Sequence, residues 1–338
     1  MNEVHHFLAD IWFGLIGVLL ILYVVLDGFD LGVGILSLGA RNDNERGIMM
    51  ASLGSVWDAN ETWLVLLGGA LFGAFPDVYA IALHALYIPI MAALFGLVFR
   101  GVAFEFRENS RRKHMWNIAF GAGSLLAAAA QGLALGAIIS GIPVGPQGFT
   151  GGVFDWFSPF SLLVAVGVVF GYMLLGATYL IVKTVGDIQA RFFHQAAFAA
   201  WLTVIVGVGV SLWTPLKFDY VRDKWFGEHL YAIGILPLCA AISFGVLLYS
   251  LRRRHEYAPF AWSILIFLFS FIGLATSLYP SIIPPDVTVY GAASSSKTLV
   301  FMLTGIGMLI PVMLIYNAYQ YLVFRGKVTE GGYGGGED

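Results

Sequence analysis

The chain has 338 residues, of which 59% are hydrophobic and 12% are charged, and its formal net charge is −3. This composition excludes a soluble globular protein and predicts an all-α polytopic membrane protein, with no nucleic-acid partner. The single cysteine, Cys239, excludes an internal disulfide, and no CxxC or CxxCH motif provides a cluster or haem attachment site.

Nine long apolar runs predict nine transmembrane helices, because each is long enough to cross a hydrocarbon core of about 30 Å. They are Ile11–Leu38, Ile48–Phe75, Val78–Phe104, Met115–Ser140, Phe160–Lys183, Ala196–Pro215, Leu230–Leu251, Pro259–Pro280 and Thr298–Phe324. We interpret residues 1–329 as one integral membrane helical domain. The Gly-rich, acidic residues 330–338 are typical of a disordered cytoplasmic tail.

The basic residues give an independent test of the number and orientation of these spans. With nine spans and an external N-terminus, fourteen of the 18 Lys and Arg residues, Arg100 among them, fall in cytoplasmic segments. The external segments hold Lys217, Arg222, Lys224 and Lys297. Because cytoplasmic loops carry an excess of Lys and Arg, this asymmetry predicts an external N-terminus and a cytoplasmic C-terminus.

Four acidic residues lie inside the first two predicted spans: Asp27 and Asp30 in the first, and Asp58 and Glu61 in the second. An ionised carboxylate at bilayer depth costs about 2.5–3.5 kcal/mol, so four would cost about 10–14 kcal/mol by simple addition. A membrane protein avoids this cost when the carboxylate faces a water-filled cavity, pairs with another group or binds a proton. The acids therefore indicate a proton path or a polar site within a helical bundle.

The predicted topology places these acids in a ladder. Asp27 lies eleven residues, about 16 Å, above the cytoplasmic end of the first span, and Asp58 lies ten residues, about 15 Å, above the same side in the second. Glu105 lies below both, at the inner end of the third span. A ladder of carboxyl groups that opens to the cytoplasm favours proton uptake through Asp27, Asp30, Asp58, Glu61 and Glu105.

The same acids could instead serve only as hydrogen-bonding partners between helices, with Asn60, Thr62, Ser55 and Ser37 available to satisfy them. An interhelical hydrogen bond in lipid contributes only about 0.6–2 kcal/mol. For Glu61 and Glu105 this structural alternative is as strong as the functional one. Glu105 lies between Arg100 and Arg107, so it could equally belong to a plain interfacial ion-pair network.

We expect Gly28, Gly32, Trp57, Trp63 and Arg100 to act in packing. Gly28 and Gly32 have the small-xxx-small spacing that lets two helices approach closely in a membrane.

The chain is poor in ligands for a redox centre. Of seven histidines, His84 alone lies deep within a predicted span. A b-type haem needs one or two axial His or Met ligands facing a pocket in the bundle. A lone histidine of this kind is more typical of a hydrogen-bonded core residue, so we expect no haem, metal or other cofactor in this chain.

Several motifs, in order along the first 110 residues, resemble subunit II of cytochrome bd-type ubiquinol oxidases. The segment LDGFDLGVG at 26–34 is similar to the DGFDxGVG signature of that family. It is followed by WDAN at 57–60 with Trp63, by GGALFGAFPDVYA at 68–80, and by FRGVAFEFR at 99–107. The rest of the chain resembles the family in length, in helix number and in the segment GATYL at 176–180.

This resemblance implies a subunit of a terminal oxidase that oxidises quinol, reduces dioxygen to water and is electrogenic. It implies that haems b558, b595 and d and the quinol site lie in a partner, subunit I, whereas subunit II is free of haem. The implied fold is two four-helix bundles plus one peripheral helix in the bacterial cytoplasmic (inner) membrane. A structural quinone and a small single-helix subunit stay open.

The resemblance also implies a proton route from the cytoplasm. The aspartate of the family's WD pair maps to Asp58, those of the DGFD motif to Asp27 and Asp30, and the acid of the segment that corresponds to FRGVAFEFR at 99–107 to Glu105. One departure is Val56, where some relatives have a histidine, so a histidine-assisted relay is not expected there. A second departure is that the acid at position 105 is Glu105, whose side chain is one methylene longer than that of an aspartate. The longer side chain shifts the carboxylate without changing its chemistry.

Two alternatives stand beside this interpretation. The chain could be a proton-coupled secondary transporter that works alone, although the sequence shows no convincing inverted repeat or broken helix. It could also be a purely structural partner whose acids only pack. Its stability and activity without a partner would separate these hypotheses.

Overall fold

The computed structural model describes residues 3–54, 56–107, 109–227, 230–329 and 332–333. These residues form helices joined by short loops and three small hairpins. The helices are α1 (Glu3–Ser37), α2 (Asp43–Leu53), α3 (Val56–Ala74), α4 (Pro76–Ala85), α5 (Tyr87–Arg107), α6 (Lys113–Ser140), α7 (Pro159–Lys183), α8 (Gly186–Lys217), α9 (Asp219–Trp225), α10 (Leu230–Arg252), α11 (Ala258–Leu278), α12 (Val289–Ala292) and α13 (Ser296–Val323). The strands are β1 (Val144–Gly145), β2 (Gly148–Phe149), β3 (Ser281–Ile283), β4 (Val287–Thr288), β5 (Val328–Thr329) and β6 (Gly332–Tyr333). Strand β1 pairs with β2, β3 with β4 and β5 with β6, each pair antiparallel.

Eight helices of the described residues are long and apolar enough to cross a membrane: α1, α5, α6, α7, α8, α11, α13 and residues Gly234–Arg252 of α10. Helix α3 is outside this set although its 19 residues would extend about 28 Å. Its first two turns hold Asp58, Asn60 and Glu61, which lower its hydropathy. The all-α membrane architecture is thus confirmed, whereas the number nine stays a prediction.

The predicted second span, Ile48–Phe75, is wrong as a single helix, because the chain breaks between α2 and α3. Gly54 ends α2 with a φ of 53°, a conformation that suits glycine since it has no Cβ. At its other end α2 is capped by Asn42, whose side-chain oxygen accepts a hydrogen bond from the Glu45 amide at 2.8 Å. Helix α3 therefore starts afresh at Val56.

The predicted third span, Val78–Phe104, is also two helices. Helix α4 begins at Pro76 and α5 begins at Tyr87, with Leu86 between them. Pro89 has no N–H to donate to the carbonyl of Ala85, so a continuous helix would lose that hydrogen bond. The other seven predicted spans each correspond to one helix, although α1 begins at Glu3 instead of Ile11 and α8 at Gly186 instead of Ala196.

Helix α1 lies at the centre of the molecule and packs against α3, α6 and α7. Its crossing with α7 depends on two glycines. A Cβ added to Gly176 would lie 2.5 Å from the backbone of Gly32, and a Cβ at Gly32 would overlap the carbonyl of Tyr172. This backbone contact holds the middle of α1 inside the bundle, and so it also buries the acidic residues there.

Helix α13 is the least buried of the membrane-length helices, and its ends are attached to the rest of the chain. Just before it, the Ser294 amide donates to the Ala74 carbonyl at 2.9 Å. Beyond it, Lys183 donates to the carbonyl of Phe324, and Lys327 pairs with Glu256 at 2.8 Å. The predicted tail, 330–338, lies outside the described residues except for Gly332–Tyr333 of β6.

Candidate functional site: a buried acidic cluster

The two aspartates of α1 are the centre of the candidate site. Asp27 and Asp30 are both fully buried, with 0% of their surface exposed. They are three residues apart and so lie on one side of the helix. Each carboxyl group nevertheless contacts a different neighbouring helix.

Asp27 forms an ion pair with a buried arginine of α5. Nη1 of Arg100 donates to Asp27 Oδ1 at 2.6 Å, and Nη2 lies 3.6 Å from Glu61 Oε2. Arg100 is 1% exposed, whereas the side chain of Glu61 is 26% exposed. The guanidinium group therefore links a fully buried carboxylate of α1 to a partly exposed one of α3, and removing either member of such a buried pair leaves an uncompensated charge.

Asp30 is held by neutral groups. The side-chain amide of Asn60 donates to Asp30 Oδ2 at 2.9 Å and to the carbonyl of Leu26 at 3.3 Å. Tyr321 of α13 donates its hydroxyl hydrogen to Asn60 Oδ1 at 2.8 Å. Asn60 thus connects α1, α3 and α13, and Asp30 has no ion pair within the part of the chain that the structure describes.

Several polar atoms of this cluster are buried without a hydrogen-bond partner among the described residues. They are Asp27 Oδ2, Asp30 Oδ1, Arg100 Nε and Nη2, and Trp63 Nε1. Buried polar groups of this kind in proteins are usually satisfied by ordered water. The cluster therefore offers both donors and acceptors for water around its charged groups, which is what a proton route requires.

A hydrogen-bonded chain on α1, α6 and α7 lies next to the aspartates. Gln131 donates to the hydroxyl of Tyr23 at 2.7 Å and accepts from the hydroxyl of Tyr172 at 2.7 Å. Tyr23 lies four residues before Asp27 and so on the same face of α1. These hydrogen bonds were not predicted from the sequence, although Gln131, a polar residue in the middle of an apolar span, indicated a polar contact there.

The predicted ladder is only partly assembled in the structure. Asp27, Asp30 and Glu61 come together around Arg100, whereas Asp58 and Glu105 are exposed on the surface of the chain. Asp58 lies in the first turn of α3, so the continuous helix from which its depth was predicted is absent, and the match in depth between Asp27 and Asp58 stays a prediction.

The structure also corrects the expected position of Arg100. It was counted among the cytoplasmic basic residues, but it lies seven residues before the end of α5 and is buried. Trp63 is fully buried and follows Asn60 by three residues on α3, and the ring centroid of Trp57 lies 5.5 Å from that of Phe104. A Cβ at Gly28 would lie 2.8 Å from the ring of Tyr172.

A second polar network lies at the end of the bundle where α2 meets α5 and α6, which we call the basic end. Asn117 donates to Asp43 at 2.8 Å, and this hydrogen bond, with Arg107 and Arg46 nearby, holds the pKa of Asp43 below its ordinary value. Glu45 pairs with Arg191 of α8 at 2.5 Å. These contacts fix α2 across the ends of the membrane-length helices.

His84, the histidine that the sequence places within a span, does not have the surroundings of an axial haem ligand. His84 lies in the short helix α4, where it is exposed and packs edge-on against Phe149 of β2 at 5.2 Å. Within the described ranges, no three His, Cys, Asp or Glu side chains are grouped to hold a metal ion.

Comparison with known proteins identifies a consistent set of relatives. The sequence matches the family model for cytochrome bd terminal oxidase subunit II over residues 8–324. It is 34% identical to cytochrome bd-I ubiquinol oxidase subunit 2 of Escherichia coli (strain K12), with 96% of each chain covered. It is 28% identical to cytochrome bd ubiquinol oxidase subunit 2 of Bacillus subtilis (strain 168), with 95% of this chain and 97% of the relative covered.

The fold has a counterpart among solved structures. A chain of the bd oxidase from Geobacillus thermodenitrificans superposes with a TM-score of 0.74. The alignment covers 94% of this chain and 98% of that one, at 19% sequence identity. At this identity the similarity supports a shared fold.

Proposed function

The chain belongs to the family of cytochrome bd terminal oxidase subunit II, and from this premise we propose that it conducts protons from the cytoplasm to a haem-bearing subunit I. It is an integral membrane protein and a subunit of a bd-type ubiquinol oxidase complex, an oxidoreductase. The haems b558, b595 and d, and the oxidation of quinol, belong to subunit I in this proposal.

The observation that carries the proposal is the cluster in which two fully buried carboxyl groups, Asp27 and Asp30, and the partly exposed Glu61 surround the buried Arg100. Three carboxylates around one guanidinium group leave an excess of negative charge, which is costly where the groups are buried. Protons that bind and leave one of the carboxyl groups remove that excess charge. The unpaired polar atoms around Arg100 provide sites for the water that would carry them.

The entrance of the route is assigned to the exposed acids. The contact between Trp57 of α3 and Phe104 of α5 brings their sequence neighbours, Asp58 and Glu105, to the same end of the bundle. Glu61 follows Asp58 by three residues on α3, and so shares its face. The proposed order is Glu105, Asp58, Glu61 and then the buried aspartates.

The exposure of Asp58 also supports contact with subunit I. A carboxylate facing lipid would cost about 2.5–3.5 kcal/mol at the helix centre, and less towards the end. Contact with a partner subunit would replace the lipid by protein or water. The face of α3 that carries Asp58 and Thr62 is therefore proposed to be covered by subunit I in the complex.

The proposed arrangement in the membrane has nine spans. Helix α3 joins the eight apolar helices, since about 28 Å of helix is close to the thickness of the hydrocarbon core. Helices α1, α3, α5 and α6 form one four-helix bundle, helices α7, α8, α10 and α11 the other, and α13 is peripheral. The basic end faces the cytoplasm by the positive-inside rule. A small single-helix subunit and a structural quinone stay predictions.

The test is an Asp58→Asn substitution in the assembled complex. We expect quinol oxidase turnover to fall while the haem content, read from the reduced-minus-oxidised visible spectrum, is unchanged. Asp77→Asn is the matched control, because Asp77 is an exposed aspartate at the start of α4, at the opposite end of α3. Wild-type turnover of Asp58→Asn between pH 6 and 8 would refute the proton route. Loss of haem from this variant would instead favour a purely structural role.

A further inference from the structure

We propose that the two aspartates of α1 have different states: Asp27 is a fixed anion paired with Arg100, whereas Asp30 is the protonated acid that exchanges a proton. The inference deepens the proposed function and rests on it. It assigns the exchange to one carboxyl group and makes Asn60 and Tyr321 its positioning residues. Both aspartates lie in one motif and are equally buried, so only their partners distinguish them.

The charges of the cluster favour this division. Arginine stays protonated in proteins, so Arg100 supplies one permanent positive charge. Its closest carboxylate oxygen belongs to Asp27, at 2.6 Å, and the oxygen of Glu61 is more distant, at 3.6 Å. Asp27 is therefore the anion that Arg100 neutralises, and the exposed part of Glu61 can be stabilised by water or by a partner.

Asp30 has neither a paired cation, as Asp27 has, nor an exposed surface, as Glu61 has, to stabilise a negative charge. It is fully buried, and it forms no ion pair with any described residue. The titratable or charged groups around it are Asp27 on α1, Glu61 on α3, Arg100 on α5 and Tyr321 on α13. Since Arg100 is engaged by Asp27, a bound proton is what neutralises Asp30.

The hydrogen bonds identify the oxygen that carries the proton. The carbonyl of Leu26 can only accept, so the NH2 side of Asn60 must face it and Asp30 Oδ2. The amide oxygen of Asn60 then accepts from Tyr321. Asn60 is thereby fixed by three groups, Oδ2 of Asp30 accepts, and Oδ1 is the oxygen with no partner among the described residues. The proton binds at Oδ1 and leaves from the same atom.

Infrared spectroscopy of the assembled complex tests the assignment, because the C=O stretch of a protonated carboxyl group is separate from the bands of a carboxylate. We expect Asp30→Asn to remove a carboxylic-acid band that shifts in D2O. Asp27→Asn is the matched control and should remove only carboxylate absorption. Arg100→Gln should add a carboxylic-acid band, because Asp27 then loses its cation and takes up a proton. The double variant Arg100→Gln/Asp27→Asn should lack this added band.

The outcomes separate this inference from the proton route as a whole. If Asp27→Asn removes the carboxylic-acid band and Asp30→Asn does not, the assignment is overturned. If Asp30→Asn removes the band but keeps wild-type turnover, the assignment of the proton holds and the functional role of Asp30 fails. If Asp30→Asn leaves the band and Asp58→Asn still slows turnover, the assignment fails while the proposed route stands. Visible spectra of each variant verify that the complex has assembled with its haems.

Discussion

The interior of the molecule around Asp27 and Asp30 differs from its surface around Asp58 and Glu105, although all four are acids of the motifs that carry the family resemblance. Each interior acid has one carboxyl oxygen bound within the chain, that of Asp27 by Arg100 and that of Asp30 by Asn60. The surface acids are exposed on helices that otherwise present apolar side chains. The difference indicates that the interior cluster is a property of the folded subunit, whereas the proposed role of the surface acids depends on contact with subunit I.

The largest effect on the interior is expected from Arg100→Leu. This change leaves Asp27 buried without its cation, and breaking a buried ion pair costs about 3–5 kcal/mol. We expect a large loss of thermal stability of the purified complex. The double variant Arg100→Leu/Asp27→Leu should recover most of that loss, because an apolar pair can replace a buried ion pair. A double variant as unstable as the single one would contradict this account of the pair.

A smaller loss is expected from Gly176→Ala. Its Cβ would lie 2.5 Å from the backbone of Gly32, so α1 and α7 must separate, at a cost of about 1–3 kcal/mol. The control is Gly207→Ala in α8, where a Cβ meets nothing within 4 Å. That control should be neutral or stabilising by up to about 1 kcal/mol, because alanine is the better helix former. Equal denaturation temperatures for the two variants would show that the crossing does not hold the interior together.

Tyr321→Phe tests the hydrogen bonds that join Tyr321, Asn60 and Asp30 in the interior. It removes the hydroxyl that donates to Asn60 at 2.8 Å, and one such hydrogen bond contributes about 0.5–1.5 kcal/mol. We expect a modest fall in thermal stability together with slower turnover, because Asn60 loses a group that orients it towards Asp30. Tyr319→Phe is the control, since Tyr319 is exposed on the same helix. Identical turnover of the two variants would show that the Tyr321 hydroxyl does not contribute to the activity of the site.

The smallest effect is expected at a surface ion pair. Lys327 donates to Glu256 at 2.8 Å, and this hydrogen bond together with one from Gln189 holds the pKa of Glu256 below its ordinary value of 4.5. The carboxylate therefore stabilises the fold above pH 4.5, and the contribution is lost as the pH falls through the lowered pKa. An exposed pair contributes about 0.2–1 kcal/mol.

Glu256→Gln should accordingly lower the thermal stability slightly at neutral pH and leave it unchanged in acid. Denaturation temperatures measured against pH provide the check. A difference from wild type that grows as the pH falls would have the wrong sign for this pair. An effect as large as that of Arg100→Leu would remove the distinction between interior and surface.

Composition and hydropathy were sufficient to predict the membrane class and seven of the nine spans as single helices. They did not predict the breaks at Gly54 and Leu86, because one glycine, or one proline three residues into the next helix, is not distinctive inside a long apolar run. The burial of Arg100 was missed for a related reason. The positive-inside rule counts basic residues near helix ends, but it does not show which of them face inward.

The contacts of the site could not be read from spacing alone. The spacing of three residues places Asp27 and Asp30 on one side of α1, but their partners lie 73 and 30 residues away along the chain. Tyr321 is 261 residues from Asn60 and lies outside every motif that the sequence indicated. Only the packing of α3, α5 and α13 around α1 determines which polar groups meet.

The most direct test of the proton route measures the membrane potential that forms when the reduced complex, reconstituted in liposomes, reacts with oxygen in a single turnover. Asp30→Asn is compared with wild type and with Asp77→Asn. We expect electrons to reach oxygen in all three complexes. In Asp30→Asn the potential should form much more slowly, because protons reach the oxygen chemistry late. A potential that forms in Asp30→Asn at the wild-type rate and amplitude would contradict proton conduction through the buried acids of this subunit.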